Sequence, residues 1–285
     1  MNAGLDRASL ESRRRFYACP DCQGTLTEEQ EQIHCAACGR SYLYEEGIPL
    51  LFSPNVWNTS KKDVTETIKA FYEKDPFPNY DDMDSTETLR EKAQRGVFAR
   101  LLDEQIPHGS SILEAGCGTG QLSNFLGLTW GRTVFGADMC LNSLKLAQRF
   151  KKKQGIFNAS FVQMNLFQPV FKRESFDFVI CNGVLHHTSD PYLGFQSIAK
   201  LVKKGGYILI GLYHAYGMVV TDLRRLIFKI SGNRFQFLDP RLRNKSLNDL
   251  KKHTWFMDQY KTLMSPNILS ERSCGGLTRP GLPLF

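Results

Sequence analysis

From Ser111 onward the chain alternates two patterns of apolar residues. Short runs rich in branched and aromatic side chains, "SILEAG" (111–116), "TVFGAD" (133–138), "ASFVQMN" (159–165), "SFDFVICNG" (175–183) and "YILIGLY" (207–213), predict strands buried on both faces. Between them, "CGTGQLSNFLGL" (117–128), "CLNSLKLAQRFKKK" (140–153) and "DPYLGFQSIAKLV" (190–202) predict amphipathic helices. Strand following helix following strand predicts an α/β fold: a doubly wound, mostly parallel, Rossmann-like sheet with its ligand beyond the carboxyl ends of the strands.

The residues before this region are helical in pattern. "STETLREKAQRGVFARLLDEQI" sets Leu89, Val97, Leu101 and Leu102 on a broadly shared face, with Ser85 as cap and Glu87 in the first turn. Upstream, a helix capped by Thr59 or Ser60 stops at "DPFPNY", where two prolines forbid continuation. Phe71, Tyr72, Phe77 and Tyr80 read as packing between modules, with a lid over a cofactor as the alternative. After Tyr213 a basic helical insertion, with Arg224, Arg225 and Lys229 flanking Leu223, Leu226 and Ile227, is expected to wall the acceptor pocket in preference to resting on a membrane or an acidic partner.

Composition adds bounds. With 285 residues and 42% hydrophobic content, one large domain with a smaller appendage is expected, and a net charge of +7 is compatible with nucleic acid, anionic lipid or a merely solvated surface. The absence of an 18-residue apolar run predicts no integral membrane segment, and the mixed charges of the first residues predict a cytoplasmic protein. Of eight cysteines, four fall in two Cys-x-x-Cys pairs, Cys19 with Cys22 and Cys35 with Cys38. Each pair turns tightly enough to aim two thiolates at one point, and together they predict a tetrahedral structural zinc site, favoured over two disulfides or a redox pair. His34, beside Cys35, is expected to be an exposed strand residue.

This segment, with its "GIP" turn at Gly47, Ile48 and Pro49, resembles the zinc ribbons of the Trm112-like family over about 40 residues. The resemblance implies a structural or docking role.

"ILEAGCGTGQ" carries the remaining chemistry. Gly116, Gly118 and Gly120 form G-x-G-x-G, but Gln121 stands where a dinucleotide fingerprint needs its third glycine, which disfavours a nicotinamide cofactor. Glu114 before the turn suits a ligand ammonium, and Asp138, ending the next strand, suits the two hydroxyls of a ribose. "EAGCGTG" with "FGAD", "MNLF" and "VICNGVLHH" resembles class I S-adenosylmethionine (SAM)-dependent methyltransferases over roughly residues 109 to 215. The resemblance implies that Glu114, Gly116 and Gly118 hold the methionine part, Asp138 the ribose, Asn165 with Leu166 the adenine, and Asn182 with Gly183 the edge of the methyl-bearing centre. Cys117, Gly120 and Met139 are further expected cofactor-binding residues. Asn165 stands where the family commonly has Asp, and Glu114 where many members have Asp. No catalytic residue is assigned: His187 and His186 are the candidates for a general base, and the preferred reading is that one of them caps or buttresses the loop without moving a proton.

The resulting domain plan is an N-terminal arm (1–15), a zinc ribbon (16–53), a helical linker or lid (54–108), a SAM-binding methyltransferase domain (109–262) and an atypical tail (263–285) read as frameshifted, because it lacks the family's usual helix and hairpin. The leading function is methyl transfer to an acceptor, with a small molecule favoured because "NGVLHHTSDP" resembles small-molecule enzymes. The first alternative is rRNA guanine methylation with the ribbon touching RNA, and the second a catalytically inactive SAM-binding adaptor.

Overall fold

A computed structural model describes residues 13–29, 32–55, 64–74, 76, 80, 85–212, 215–245 and 249–261. The expected caps Thr59 and Ser60, the aromatic Phe77 and the tail 263–285 lie outside the described residues.

Five small strands open the chain: β1 Leu26–Glu29, β2 Gln32–Cys35, β3 Ser41–Tyr42, β4 Tyr44–Glu45 and β5 Ile48–Pro49. The first three form an antiparallel sheet, and β4 with β5 forms a hairpin. Helices α1 Thr65–Lys74, α2 Thr86–Arg95 and α3 Val97–Gln105 follow. The main unit then runs β6 Ser111–Ala115, α4 Gln121–Leu126, β7 Thr133–Asp138, α5 Leu141–Gln154, β8 Ala159–Gln163, β9 Phe176–Asn182, α6 Pro191–Ala199 and β10 Val202–Gly211. Its five strands are all parallel, in the order β10-β9-β6-β7-β8. The chain turns back at β6, which sits between β7 and β9, so a crevice opens beyond its carboxyl end. This is the doubly wound, Rossmann-like sheet that the alternating pattern predicts.

Every residue of β6 is buried, and successive side chains serve opposite faces. Ile112 joins Leu102, Ile106, Phe125, Leu144 and Phe150 on one side, whereas Leu113 joins Phe16, Tyr17, Phe135, Phe171 and Phe176 on the other. The second set is an aromatic stack, with Phe135 5.0 Å from Phe16 and 5.3 Å from Phe171 between centroids. Residues 16 and 17 therefore complete the core of the main sheet. Arg13, at the end of the segment read as an arm, is buried and donates to the carbonyl of Ala159 (3.2 Å) and the hydroxyl of Ser160 (2.6 Å). Leu50 makes a parallel bridge to Gln163, which covers the edge of β8.

The helix expected over 85–106 is broken in two. Gly96 is extended (φ −89°, ψ 119°) and ends α2 before α3 begins, so the two halves present different faces. Leu89 and Leu102 reach the core, while Val97 and Leu101 are exposed, and the single shared face is corrected accordingly. Ser85 caps α2 as expected, through a reciprocal box with Thr88. Likewise the helix expected to run to Val202 stops at Ala199, and β10 starts at Val202 with a register shift before Tyr207.

After β10 come α7 Ala215–Ile230, α8 Pro240–Arg243 and α9 Asp249–Phe256. They gather around Phe228, which stacks against Phe256 (5.8 Å) and Tyr260 (4.7 Å), and around Asp239, which caps α8 and accepts from Trp255 Nε1. Among the described residues no helix is long and apolar enough to cross a membrane.

Candidate functional site

Two clusters of chemistry emerge. The first is the cysteine set: the sulfurs of Cys19, Cys22, Cys35 and Cys38 all lie within 4.8 Å of one another. Cys19 and Cys38 sulfurs are 3.7 Å apart and those of Cys22 and Cys35 are 3.4 Å apart, and the cysteines are free thiols. An ion bonded tetrahedrally at about 2.3 Å to four sulfurs separates them by roughly 3.8 Å, so the donor set fits zinc in number, softness and spacing. His34 turns to the hydroxyl of Ser41 (2.8 Å), away from the set. Asp21, between the first two cysteines, accepts from Tyr42 Oη and Ser53 Oγ, both at 2.6 Å, and pairs with Arg40 at 2.8 Å. These bonds hold its carboxyl below the usual range although burial pushes the other way.

The second cluster lines a cavity of about 590 Å³ beyond the carboxyl ends of β6, β7, β8 and β9. Of the residues expected to hold a cofactor, Glu114, Gly116, Cys117, Gly118, Asp138, Met139, Asn165, Leu166, Asn182 and Gly183 all face it. Gly120 does not line it; it sets the turn that launches α4, at φ 67°. Gly116 has φ 77°, and a methyl group there would stand 2.3 Å from a methyl of Val184. Only a bare residue satisfies both conditions.

Polar groups of the cavity are pre-set. Glu114 is buried, accepts from Ser123 Oγ, and is pushed up to about 7 by burial, with the Asp138 carboxylate adding to the shift. Asp138 accepts from the amides of Gly118 (2.8 Å) and Cys140 (2.9 Å); burial still raises it above its ordinary value. Further lone pairs on both oxygens stay available to a ribose. Asn165 is buried and uses both its hydrogens: its Nδ2 donates to the Ser53 carbonyl and to Asn55 Oδ1, both at 2.8 Å, and its Oδ1 accepts from the amide of Phe167 at 3.1 Å. An aspartate has no hydrogens for those two acceptors, which gives a reason for Asn at this position.

The two histidines differ. His187 lines the cavity beside Thr188, with its ring 6.3 Å from that of Tyr72. His186 is buried behind it and pushed down to about 3, first by burial and then by the neighbouring His187, so it stays neutral at physiological pH.

The walls that enclose the cavity come from the segment read as a helical linker or lid, and Tyr72, expected to pack between modules with a lid over a cofactor as the alternative, is among them. Val64, Thr65, Ile68 and Tyr72 of the α1 region and Leu89, Ala93, Phe98 and Ala99 of α2 and α3 line it, whereas none of the described side chains of α7 does, which corrects the pocket wall expected there. Glu73 fixes α1 by accepting from the amides of Leu141 (2.6 Å) and Asn142 (2.9 Å) at the start of α5. Tyr80 packs on Phe150 and donates to the carbonyl of Thr119 (2.8 Å), so it braces the glycine turn. Gly211 is a further missed position: a methyl group there would collide with Asn182, and the signal was a glycine inside the strand "YILIGLY".

Comparison with known proteins agrees with this geometry. Residues 113–210 match the family described as a methyltransferase domain. The chain is similar to a ubiquinone biosynthesis O-methyltransferase of Paracidovorax citrulli, with 34% identity over 35% of this chain and 42% of that protein. It is also similar to an uncharacterised protein of Synechococcus sp., with 30% identity over 43% of this chain and 30% of that protein. A demethylmenaquinone methyltransferase of Bacillus licheniformis shares 23% identity over 64% of this chain and 75% of that protein. The chain thus spans less than half of the first two relatives. The stretch that carries the glycine turn and the acids beyond adjacent parallel strands is thus the stretch, residues 113–210, that matches a methyltransferase domain.

Proposed function

We propose that this protein transfers a methyl group from SAM to a small, largely apolar acceptor, with zinc held by Cys19, Cys22, Cys35 and Cys38. The observation that carries the reading is one cavity in which Glu114, Asp138 and Asn182 converge on a bare glycine turn while apolar residues of α1, α2 and α3 enclose it. Leu89, Ala93, Phe98 and Ala99 suit a hydrocarbon or aromatic surface. The names of two relatives point the same way, to a quinone-type acceptor.

The cofactor supplies an activated methyl group beside a sulfonium cation. Glu114 holds the ammonium, Asp138 the ribose hydroxyls, and the walls exclude water and align the acceptor oxygen or carbon in line. His187, which lines the cavity, would take the acceptor's proton where the nucleophile carries one. Zinc binding orders the ribbon, whose strands bury few apolar residues of their own.

Calorimetry with SAM, followed by transfer of labelled methyl groups into cell extract, tests this. Label in the organic-soluble small-molecule fraction is expected; label in ribosomal RNA overturns the acceptor class, and binding without transfer to any fraction favours an inactive adaptor.

A further inference from the structure

The expected division into ribbon and catalytic domain hides a physical connection between them. The loop after β8 starts with Asn165, Leu166 and Phe167, which line the cavity, and runs on to Val170. The N-terminal module grips this loop along its length. Asn165 donates to the Ser53 carbonyl (2.8 Å), Gln168 Nε2 to the Pro54 carbonyl (2.8 Å), Gln23 Nε2 to the Pro169 carbonyl (2.9 Å), and the amide of Ala18 to the Val170 carbonyl (2.8 Å). Two of these four residues sit in the cysteine region itself: Ala18 precedes Cys19 and Gln23 follows Cys22. The other two connect through Ser53, whose hydroxyl is bonded to Asp21 between the same cysteines. Ser53 and Asn165 are both nearly fully buried, at 3% and 2% exposure, so water competes little for either bond. Asn55 extends the network to the other wall, donating to Thr65 Oγ1 (2.9 Å) at the start of α1.

We propose that Asp21, Ser53 and Asn165 are positioning residues that couple zinc occupancy of the cysteine site to cofactor binding, by fixing the loop expected to meet the adenine. The proposal rests on the SAM reading and adds a linkage that reading does not require. An ion held by the four cysteines keeps Asp21, Gln23 and Ala18 in place, and they hold the loop. By thermodynamic reciprocity a ligand that needs the ordered loop must in turn retain the ion. Asparagine at position 165 has a role in this scheme, because it alone among the acid and amide alternatives of that length donates to two oxygens and accepts from a third group at once.

The experiment uses the full chain loaded with zinc and S-adenosylhomocysteine as probe. Zinc transfer to a chromogenic chelator is timed with and without saturating probe. In the wild type the probe is expected to slow release by about fivefold or more. Ser53→Ala and Asp21→Ala leave all four cysteines in place; each is expected to abolish the slowing and to weaken probe affinity about fivefold. Should Asp21→Ala fail to fold, Ser53→Ala decides alone. Leu102→Ala, a destabilising change at a residue outside this hydrogen-bond network, is expected to leave the slowing intact, which separates coupling from general loss of stability. Equal slowing in wild type and Ser53→Ala overturns the proposal, as does probe binding to the wild type with no effect on zinc release. Failure of the zinc-loaded wild type to bind the probe at all overturns the cofactor reading, and the coupling with it.

Discussion

The cysteine ribbon and the glycine turn lie on the same core yet are held by opposite means. The turn grows from β6, in which all five residues are buried, and its amides are already bonded to Ala137 and Asp138 without a ligand. The ribbon strand β1 has no fully buried residue, and β2 buries only Ile33 and Cys35. One site is shaped by hydrophobic burial within its own strand; the other brings four thiols within 4.8 Å of one another, and under our proposal a bound ion sets their order. The difference teaches that a single substitution harms the first by steric conflict and the second by loss of a bond.

The largest effect is expected at the turn. Gly116→Ala combines an unfavourable backbone conformation with a collision against Val184, roughly 3 kcal/mol, and should weaken SAM binding about 100-fold while far-ultraviolet circular dichroism stays unchanged. Retention of wild-type affinity in calorimetry would remove the turn from the cofactor site. At the ribbon, Cys35→Ala should lose the bound zinc in elemental analysis and lower the melting midpoint by about 5–10 °C, since Phe16 and Tyr17 anchor the ribbon in the shared core. An unchanged zinc content would end the four-thiol assignment.

The next effect concerns charge. Burial raises Glu114 to about 7, and a ligand ammonium needs it ionised, so cofactor affinity should rise roughly tenfold between pH 6 and pH 8 and level off above. Stability moves the other way: an acid raised on folding favours the fold while protonated, so this contribution is complete below the unfolded value near 4.5 and is lost as pH climbs through about 7. Glu114→Gln should flatten both slopes, and a persisting affinity slope would assign it to another group. A smaller contrast separates the two halves of the broken helix. Leu102→Ala should cost about 2–4 kcal/mol in urea denaturation, and the exposed Leu101→Ala less than about 0.5. Equal costs would restore the single shared face.

Much of the main unit was legible because its signals are local. β7 occupies the "TVFGAD" run residue for residue, and the glycines, Glu114, Asp138 and Asn182 sit at strand ends that periodicity already marks. The cysteine spacing was equally readable, since two short turns suffice to aim four thiols. By contrast, Gly96 resembles any tolerated glycine within a helical pattern, and only its extended backbone splits α2 from α3. His186 and His187 are adjacent and chemically identical in sequence, yet one faces the cavity and the other is buried.

The sequence by itself determined the order of strands and helices, the bare turn and the two Cys-x-x-Cys turns, because each depends on residues within a few positions of one another. Tertiary structure alone decided that Phe16 and Tyr17 finish the sheet's core, which side chains of the linker or lid segment line the cavity, and that Asn165 answers to Ser53. These contacts join residues up to about 150 positions apart, and their formation depends on how whole elements pack, which no local pattern of side chains encodes.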